Sequence, residues 1–147
     1  MDEIRGSLRC PIARTLDVLG DRWTLLIVRD AIAGSTKFTQ FRDSLGIPRD
    51  VLAARLETLV EGGVLDRRTV PREGERARDE YFVTDAGREL IVVLGALGDW
   101  GARNRPWHEP PLVAFTDAAG SPVAPSFVSG SRPLPLDDVL VAANRGA

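Results

Sequence analysis

Along the chain, stretches with an apolar residue at every third or fourth position alternate with short breaks at glycine, the pattern of helices packed on one core. Cys10-Pro11 opens the first stretch, with Ile12, Leu16 and Leu19 on one stripe and Gly20 at its end. Proline suits a first helical turn, where its missing N–H would have had no partner. Asp21 is placed to cap a second helix, in which Trp23, Leu26, Ile27 and Ala31 share a face before Gly34. Lys37-Phe38 is long enough only for a stub of strand, and Thr39 is expected to cap a brief helix that turns Phe41 and Leu45 inward and stops at Gly46. After Gly46-Ile47, residues Arg49 to Glu61 read as a helix that buries Leu52, Leu56, Leu59 and Val60. The same period turns Arg49, Asp50, Ala53, Arg55 and Glu57 away from that core, and Gly62-Gly63 stops the helix.

The period then shortens. Val64–Val70 and Glu80–Thr84 read as the two arms of a hairpin around an arginine-rich tip, Pro71 to Arg78, that is too charged to bury. Thr84 or Asp85 starts a last long helix with a broad apolar face of Leu90, Val93, Leu94, Leu97 and Trp100. A helix followed by a basic hairpin is the sequence form of a winged helix-turn-helix, with the helix in the DNA major groove and the hairpin along the flanking backbone. The last helix is more apolar than one small domain can cover. The expected fold class is therefore mainly α with a small β-hairpin wing, a homodimer through its N- and C-terminal helices.

Residues 8–105 are expected to form the DNA-binding and dimerisation domain. From Pro106 to Pro135 there are seven prolines and no helical period. A weak repeat at eleven-residue spacing brings Pro122-Val123 and Val128 back as Pro133-Leu134 and Val139. Residues 106–147 thus read as a short C-terminal β or irregular extension, in which two such strands form a small sheet; disorder is the competing reading.

With 147 residues, 44% of them hydrophobic, the chain is long enough to close one core without metal or disulfide. Its one cysteine, Cys10, excludes an internal disulfide, and no Cys/His cluster has zinc-ligand spacing. The residues MDEIRGSLRCP lack a basic segment followed by an apolar one, and the apolar run Leu90 to Leu97 is too short to span a bilayer. A cytoplasmic protein without membrane contact is expected. The net charge of −2 argues mildly against nucleic acid, yet residues 1–105 hold 17 basic and 17 acidic side chains, leaving the acidity to the tail. A neutral body still accommodates a local basic face.

The segments CPIARTLDVLGDRWTLLIVRD (Cys10 to Asp30), KFTQFRDSLGIPRDVLAARLETLVEGGVLDRR (Lys37 to Arg68), DEYFVTDAGREL (Asp79 to Leu90) and DWG (Asp99 to Gly101) resemble the HxlR family of winged-helix regulators, related to the MarR group. The resemblance covers roughly residues 8–105. It implies a cytoplasmic homodimer that binds operator DNA, commonly to repress a nearby gene, with no cofactor and no catalysis. The chain departs from the family pattern at Pro48-Arg49-Asp50, where relatives commonly carry a polar triad such as Ser-Pro-Asn; at Ala53, where they carry serine; and at Glu57, where they carry a basic residue. Hydroxyl donors are lost and one charge is reversed on the DNA-facing helix.

The expected DNA-binding residues are Lys37, Thr39, Arg49, Asp50, Ala53, Arg55, Arg72, Arg76 and Arg78. Arg49 and Arg55 near the helix start are set to reach base edges or phosphates, against the alternative of pairing with Asp50 or Glu61. At the wing, Arg72, Arg76 and Arg78 meet phosphates, or else Glu73, Glu75, Asp79 and Glu80 offset them in a solvated loop. Lys37 and Thr39 sit where a helix N-terminus meets a phosphate. Cys10, beside Arg9 and Arg14 at a helix start, is either a redox or electrophile sensor or a small apolar residue of the dimer interface. Trp23, Trp100 and Phe38 are assigned to packing, and His108 has no catalytic partner at recognisable spacing. A small-molecule effector between the first and last helices stays open. The competing function is a winged helix turned to a protein partner, which the acidic pI, Ala53 and Glu57 favour; no phosphate loop, metal cluster or catalytic triad points to an enzyme.

Overall fold

A computed structural model of the chain describes residues 9–142. Residues 1–8, which carry most of the leader reading and the start of the expected domain, and residues 143–147 of the tail lie outside the described residues. The elements run α1 (Pro11–Leu19), α2 (Arg22–Ile32), α3 (Phe38–Leu45), α4 (Arg49–Glu61), β1 (Leu65–Arg72), β2 (Glu75–Val83), α5 (Asp85–Glu89) and α6 (Ile91–Asn104), then β3 (Val128–Ser129) and β4 (Arg132–Pro133). Among the described residues no helix is long and apolar enough to cross a membrane. The contacts divide the chain into two compact units, with the division between Leu94 and Gly95.

The first unit is a winged helix-turn-helix. Its core collects Leu19 from α1, Ile27, Val28 and Ala31 from α2, Phe41 from α3, Leu52, Leu56 and Leu59 from α4, and Val64 and Leu65 at the start of the wing. On α2 the most buried stripe is Thr24, Ile27, Val28 and Ala31, with Trp23 and Leu26 half-buried at its edge. Asp21 caps α2, accepting from the Trp23 N–H at 2.8 Å. The α3–α4 turn depends on Gly46, whose φ of 62° lies in the left-handed region where a side chain is strained. From there α4 lays Leu52, Leu56 and Leu59 on the core with no exposed surface at all. Each contributes about 2 kcal/mol in burial alone.

Three local expectations are corrected. Thr39 does not cap α3: the helix starts two residues earlier, Lys37 is its N-cap, and the Gln40 side chain accepts from the Lys37 N–H at 2.9 Å. The amide of Gln40, three residues on, outcompetes the Thr39 hydroxyl because it also accepts from the Thr36 N–H at 2.9 Å. The hairpin arms are longer than their apolar residues suggest, and the turn shrinks to Glu73-Gly74. Polar side chains pair across the ladder, as in the 2.8 Å bond from the Thr69 hydroxyl to Asp79, so the charged stretch is itself strand. Pro71, which has no N–H to give, sits where the register shifts between Val70 and Arg72. The last helix is two helices, because the Leu90 N–H turns back to the Gly87 carbonyl at 3.1 Å and ends α5 there.

Lys37 makes an antiparallel bridge to Glu80, so the stub strand expected at Lys37-Phe38 is present as a single bridge on the wing. In the second unit the proline-rich tail folds onto the glycine face of α6, where a Cβ added at Gly95 would lie 3.0 Å from the Pro125 ring and one at Gly98 would lie 3.4 Å from Phe115. Two small hairpins follow one another. Thr116 bridges Pro122 in the first, and in the second β3 pairs β4 with Val128 opposite Pro133. Val139, the last residue of the weak repeat, leaves the sheet after a 3-10 turn at Leu136–Asp138.

The joint between wing and α5 has little room. The Thr84 hydroxyl donates to the Gly63 carbonyl at 2.6 Å and accepts from the Gly87 N–H at 3.0 Å. A Cβ at Gly87 would meet the Val64 carbonyl oxygen at 2.2 Å and a Val83 methyl at 2.9 Å. Gly87→Ala is therefore expected to destabilise the fold by about 1–3 kcal/mol through overpacking, read as a lowered urea midpoint with an unchanged slope.

Candidate nucleic-acid interface

The helix-turn-helix exposes a compact surface on the side of α4 opposite its buried leucines. Arg49, Asp50 and Ala53 are all exposed on the first two turns. Together with half-buried Phe38 at the start of α3 they line an open hollow of about 540 Å³. The Arg49 guanidinium lies 5.7 Å from the centroid of the Phe38 ring, a cation–π distance, and no carboxylate among the described residues pairs with it. Asp50 therefore does not form the intrahelical pair that competed for Arg49. Lys37 and Thr39 are exposed beside this hollow, at the N-cap and in the first turn of α3.

Arg55 departs from the expected set. Its guanidinium bonds Asp21 at 2.9 Å with about a third of the side chain exposed, so it ties the middle of α4 to the N-cap of α2 instead of facing outward. Burial raises the Asp21 carboxyl, but the Trp23 N–H and Arg55 outweigh it and hold Asp21 below the usual carboxylate range. Glu57, the reversed charge on this helix, is bridged to Arg67 of β1 at 2.7 Å. Its negative charge is answered within the chain.

On the wing the expected arginines separate into two kinds. Arg72 is held between Glu80 at 3.3 Å and Glu75 at 3.7 Å, with a quarter of its side chain exposed. Arg76 and Arg78 are exposed. The period of two puts Arg76 and Arg78 on one hairpin face with Arg68, which sequence reasoning did not single out and which stacks over Phe82 at 4.7 Å. Glu80 was read as one more offsetting charge of the tip, yet it is nearly buried, its carboxylate accepting from the Thr36 hydroxyl at 2.7 Å. Its place on the same strand face as half-buried Phe82 is the signal that could have found it.

Cys10 is the N-cap residue of α1, exposed and without a disulfide. Exposed apolar side chains follow it on α1, at Ile12 (70%) and Leu16 (53%). A second exposed apolar row occupies α6 at Val93, Leu97 and Trp100. Among the described residues no group of three or more His, Cys, Asp or Glu side chains is placed to hold a metal ion.

A family model described as HxlR-like helix-turn-helix matches residues 18–109, which span the whole wing and both helices of the motif. The chain belongs to the HxlR-like helix-turn-helix family. It is similar to the HTH-type transcriptional regulator Rv3095 of Mycobacterium tuberculosis, with 40% identity over 118 residues that cover 80% of this chain and 73% of that protein. Among solved structures it is similar to PA1607, a candidate transcription factor, with a TM-score of 0.80, 39% identity, and coverage of 97% of this chain and 100% of that one. The redox regulator HypR in its reduced form gives a TM-score of 0.59 with 29% identity, covering 65% of this chain and 94% of that one. The PA1607 match extends over the tail, whereas the HypR match leaves a third of this chain uncovered.

As an HxlR-like protein, the chain is a DNA-binding transcriptional regulator. Within the segment DEYFVTDAGREL, Tyr81, Thr84 and Gly87 fall at this joint, and Tyr81 also donates its N–H to the Thr36 carbonyl at 2.8 Å. The HxlR-like wing is pinned by Glu80. The Thr36 hydroxyl, with Arg72 and Lys37, holds that carboxyl below the ordinary glutamate value of 4.5. A depressed folded value means the contribution to stability is present above the unfolded range and is lost as pH falls through the folded value. A carbon-detected NMR titration is expected to place the Glu80 midpoint below 4.5, and Thr36→Val to move it back up. A midpoint unmoved by Thr36→Val would remove this account.

Proposed function

We propose that the protein is a repressor that binds a palindromic operator as a homodimer, with residues 8–105 carrying DNA binding and dimerisation and 106–147 an extension. The observation that carries this reading is the face of α4: Arg49, Asp50 and Ala53 stand clear of solvent-excluded Leu52, Leu56 and Leu59 on the first turns of the second helix-turn-helix helix. In this motif those are the turns that meet base edges, and two symmetric copies read half-sites one DNA turn apart. Arg49 and Asp50 face bases, Lys37 and Thr39 face a phosphate, and Arg76 and Arg78 follow the flanking backbone. Arg55 and Arg72, each engaged by carboxylates, act as positioning residues that hold α4 and the wing. Family membership supports a regulator without catalysis or cofactor, working in the cytoplasm. The protein-partner reading loses one of its three supports, since Glu57 is answered by Arg67.

The exposed apolar rows of α1 and α6 support dimerisation, because apolar surface left by one copy is covered by a second. Exposed Cys10 begins α1, and with one thiol per chain oxidation joins two Cys10 residues across the dimer or attaches a small thiol. The likeness to a redox regulator supports such a response.

In a shift assay Arg49→Ala is expected to lower affinity for the operator by about 5- to 150-fold while leaving non-specific binding nearly unchanged. Arg76→Ala with Arg78→Ala is expected to weaken all duplexes alike and to reduce the salt slope by about 0.9 per lost phosphate contact. Equal binding by all variants would remove these assignments. Sedimentation is expected to give twice the chain mass. Diamide, taking two electrons and two protons from paired thiols, is expected to release wild type from DNA; a Cys10→Ser protein released equally well would end the sensor role.

A further inference from the structure

The hollow between the starts of α3 and α4 is more specific than a generic basic surface, and we propose that it seats the 5-methyl group of a thymine next to a guanine read by Arg49. This rests on the DNA-binding reading above and names the base step it reads. The floor and wall are apolar: the Ala53 methyl on α4 and the Phe38 ring at the head of α3. Thymine methyl is the one apolar group that base pairs present in the major groove, and alanine and phenylalanine are its common partners. Asp50 stands on the rim of the same hollow. A carboxylate repels a phosphate, so the backbone is kept out of the hollow and a base edge admitted, with Asp50 free to accept from a cytosine or adenine amino group.

Arg49 completes the step. No carboxylate among the described residues pairs with its guanidinium, which rests over Phe38 at 5.7 Å; that limits the swing of a long side chain and keeps its fork beside the hollow. The fork matches the O6 and N7 acceptors of guanine. Phe38 is then a positioning residue, acting on specificity through Arg49 as well as packing against the core. Serine in place of Ala53 would present a hydroxyl here, so the departure from the family pattern becomes a change of base preference.

The test begins with selection of a bound site from random duplexes by the full-length protein. In the enriched site each thymine is replaced in turn by deoxyuridine, which lacks only the methyl, and each guanine by 7-deazaguanine, which lacks N7. One thymine per half-site is expected to lose about fourfold on demethylation, the worth of one buried methyl group. That loss is expected to shrink in Ala53→Gly, which removes one of the two apolar groups that seat the methyl. The adjacent guanine is expected to lose about fivefold or more, and nothing further in Arg49→Ala. Phe38→Leu, which keeps an apolar core residue, is expected to cut the penalty at that guanine about two- to fivefold, more than it lowers random-duplex affinity; a purely structural Phe38 would lower both alike. An enriched site in which every deoxyuridine duplex binds like its parent overturns this inference alone, as does a demethylation loss that is undiminished in Ala53→Gly. Selection that enriches no site overturns the DNA reading and this inference together.

Discussion

Everything on the outer face of this protein depends on three leucines of one helix having no contact with water. Leu52, Leu56 and Leu59 fix α4 by its inner stripe, and replacing any one by alanine would open a cavity costing about 2–5 kcal/mol. A helix so attached cannot roll, because a rotation of one residue would lift the stripe off α2 and α3. Arg49, Asp50 and Ala53 are then presented in a fixed direction without any side-chain hydrogen bond to the other described residues. The ion pair of Arg55 with Asp21 adds to this, joining the same helix to the cap of α2. Orientation comes from burial, and the polar contacts trim it.

The charges follow a different logic. A body with as many acidic as basic residues has little net attraction for a polyanion, and several of its arginines are already answered: Arg29 by Asp30, Arg42 by Asp43, Arg67 by Glu57, Arg72 by Glu80. Among the described residues no carboxylate pairs with Arg49 at the head of α4 or with Arg76 and Arg78 toward the tip of the wing. Surface pairs of this sort contribute little to stability, so their effect is to decide which guanidinium groups are available to a partner. A protein built this way gains less from counterion release than a strongly basic one and relies more on groove contacts.

The helices and the core were legible because period and capping agree with the tertiary packing. Arg49–Glu61 was bounded to the residue by Gly46-Ile47-Pro48 on one side and Gly62-Gly63 on the other. Local competition was less legible. Nothing in the string says that Gln40 rather than Thr39 closes the start of α3, since both can accept from nearby N–H groups. The arginine-rich stretch looked like a tip because polarity was taken as the mark of a loop, whereas paired polar side chains satisfy one another on a strand. Partners distant in sequence were out of reach: Arg55 finds Asp21, Glu80 finds Thr36, and Phe38 lies under Arg49 only once α3 and α4 have crossed. For the same reason the wing's third neighbour, a single bridge at Lys37, was visible as a stub but not as the place where Glu80 is held.

The base of the hairpin is joined to the rest of the first unit on both sides, by Glu57 to Arg67 toward α4 and by Thr36 and Lys37 to Glu80 toward α3. A wing fastened at two points near its root is no longer a flexible arm that adapts to whatever duplex it meets. With α4 it makes a pair of calipers of set opening. On the proposed docking, such an instrument would gauge the distance from groove floor to neighbouring backbone, a quantity that varies with how easily a stretch of duplex bends or narrows. Bases beyond the reach of any side chain would thereby enter the measurement.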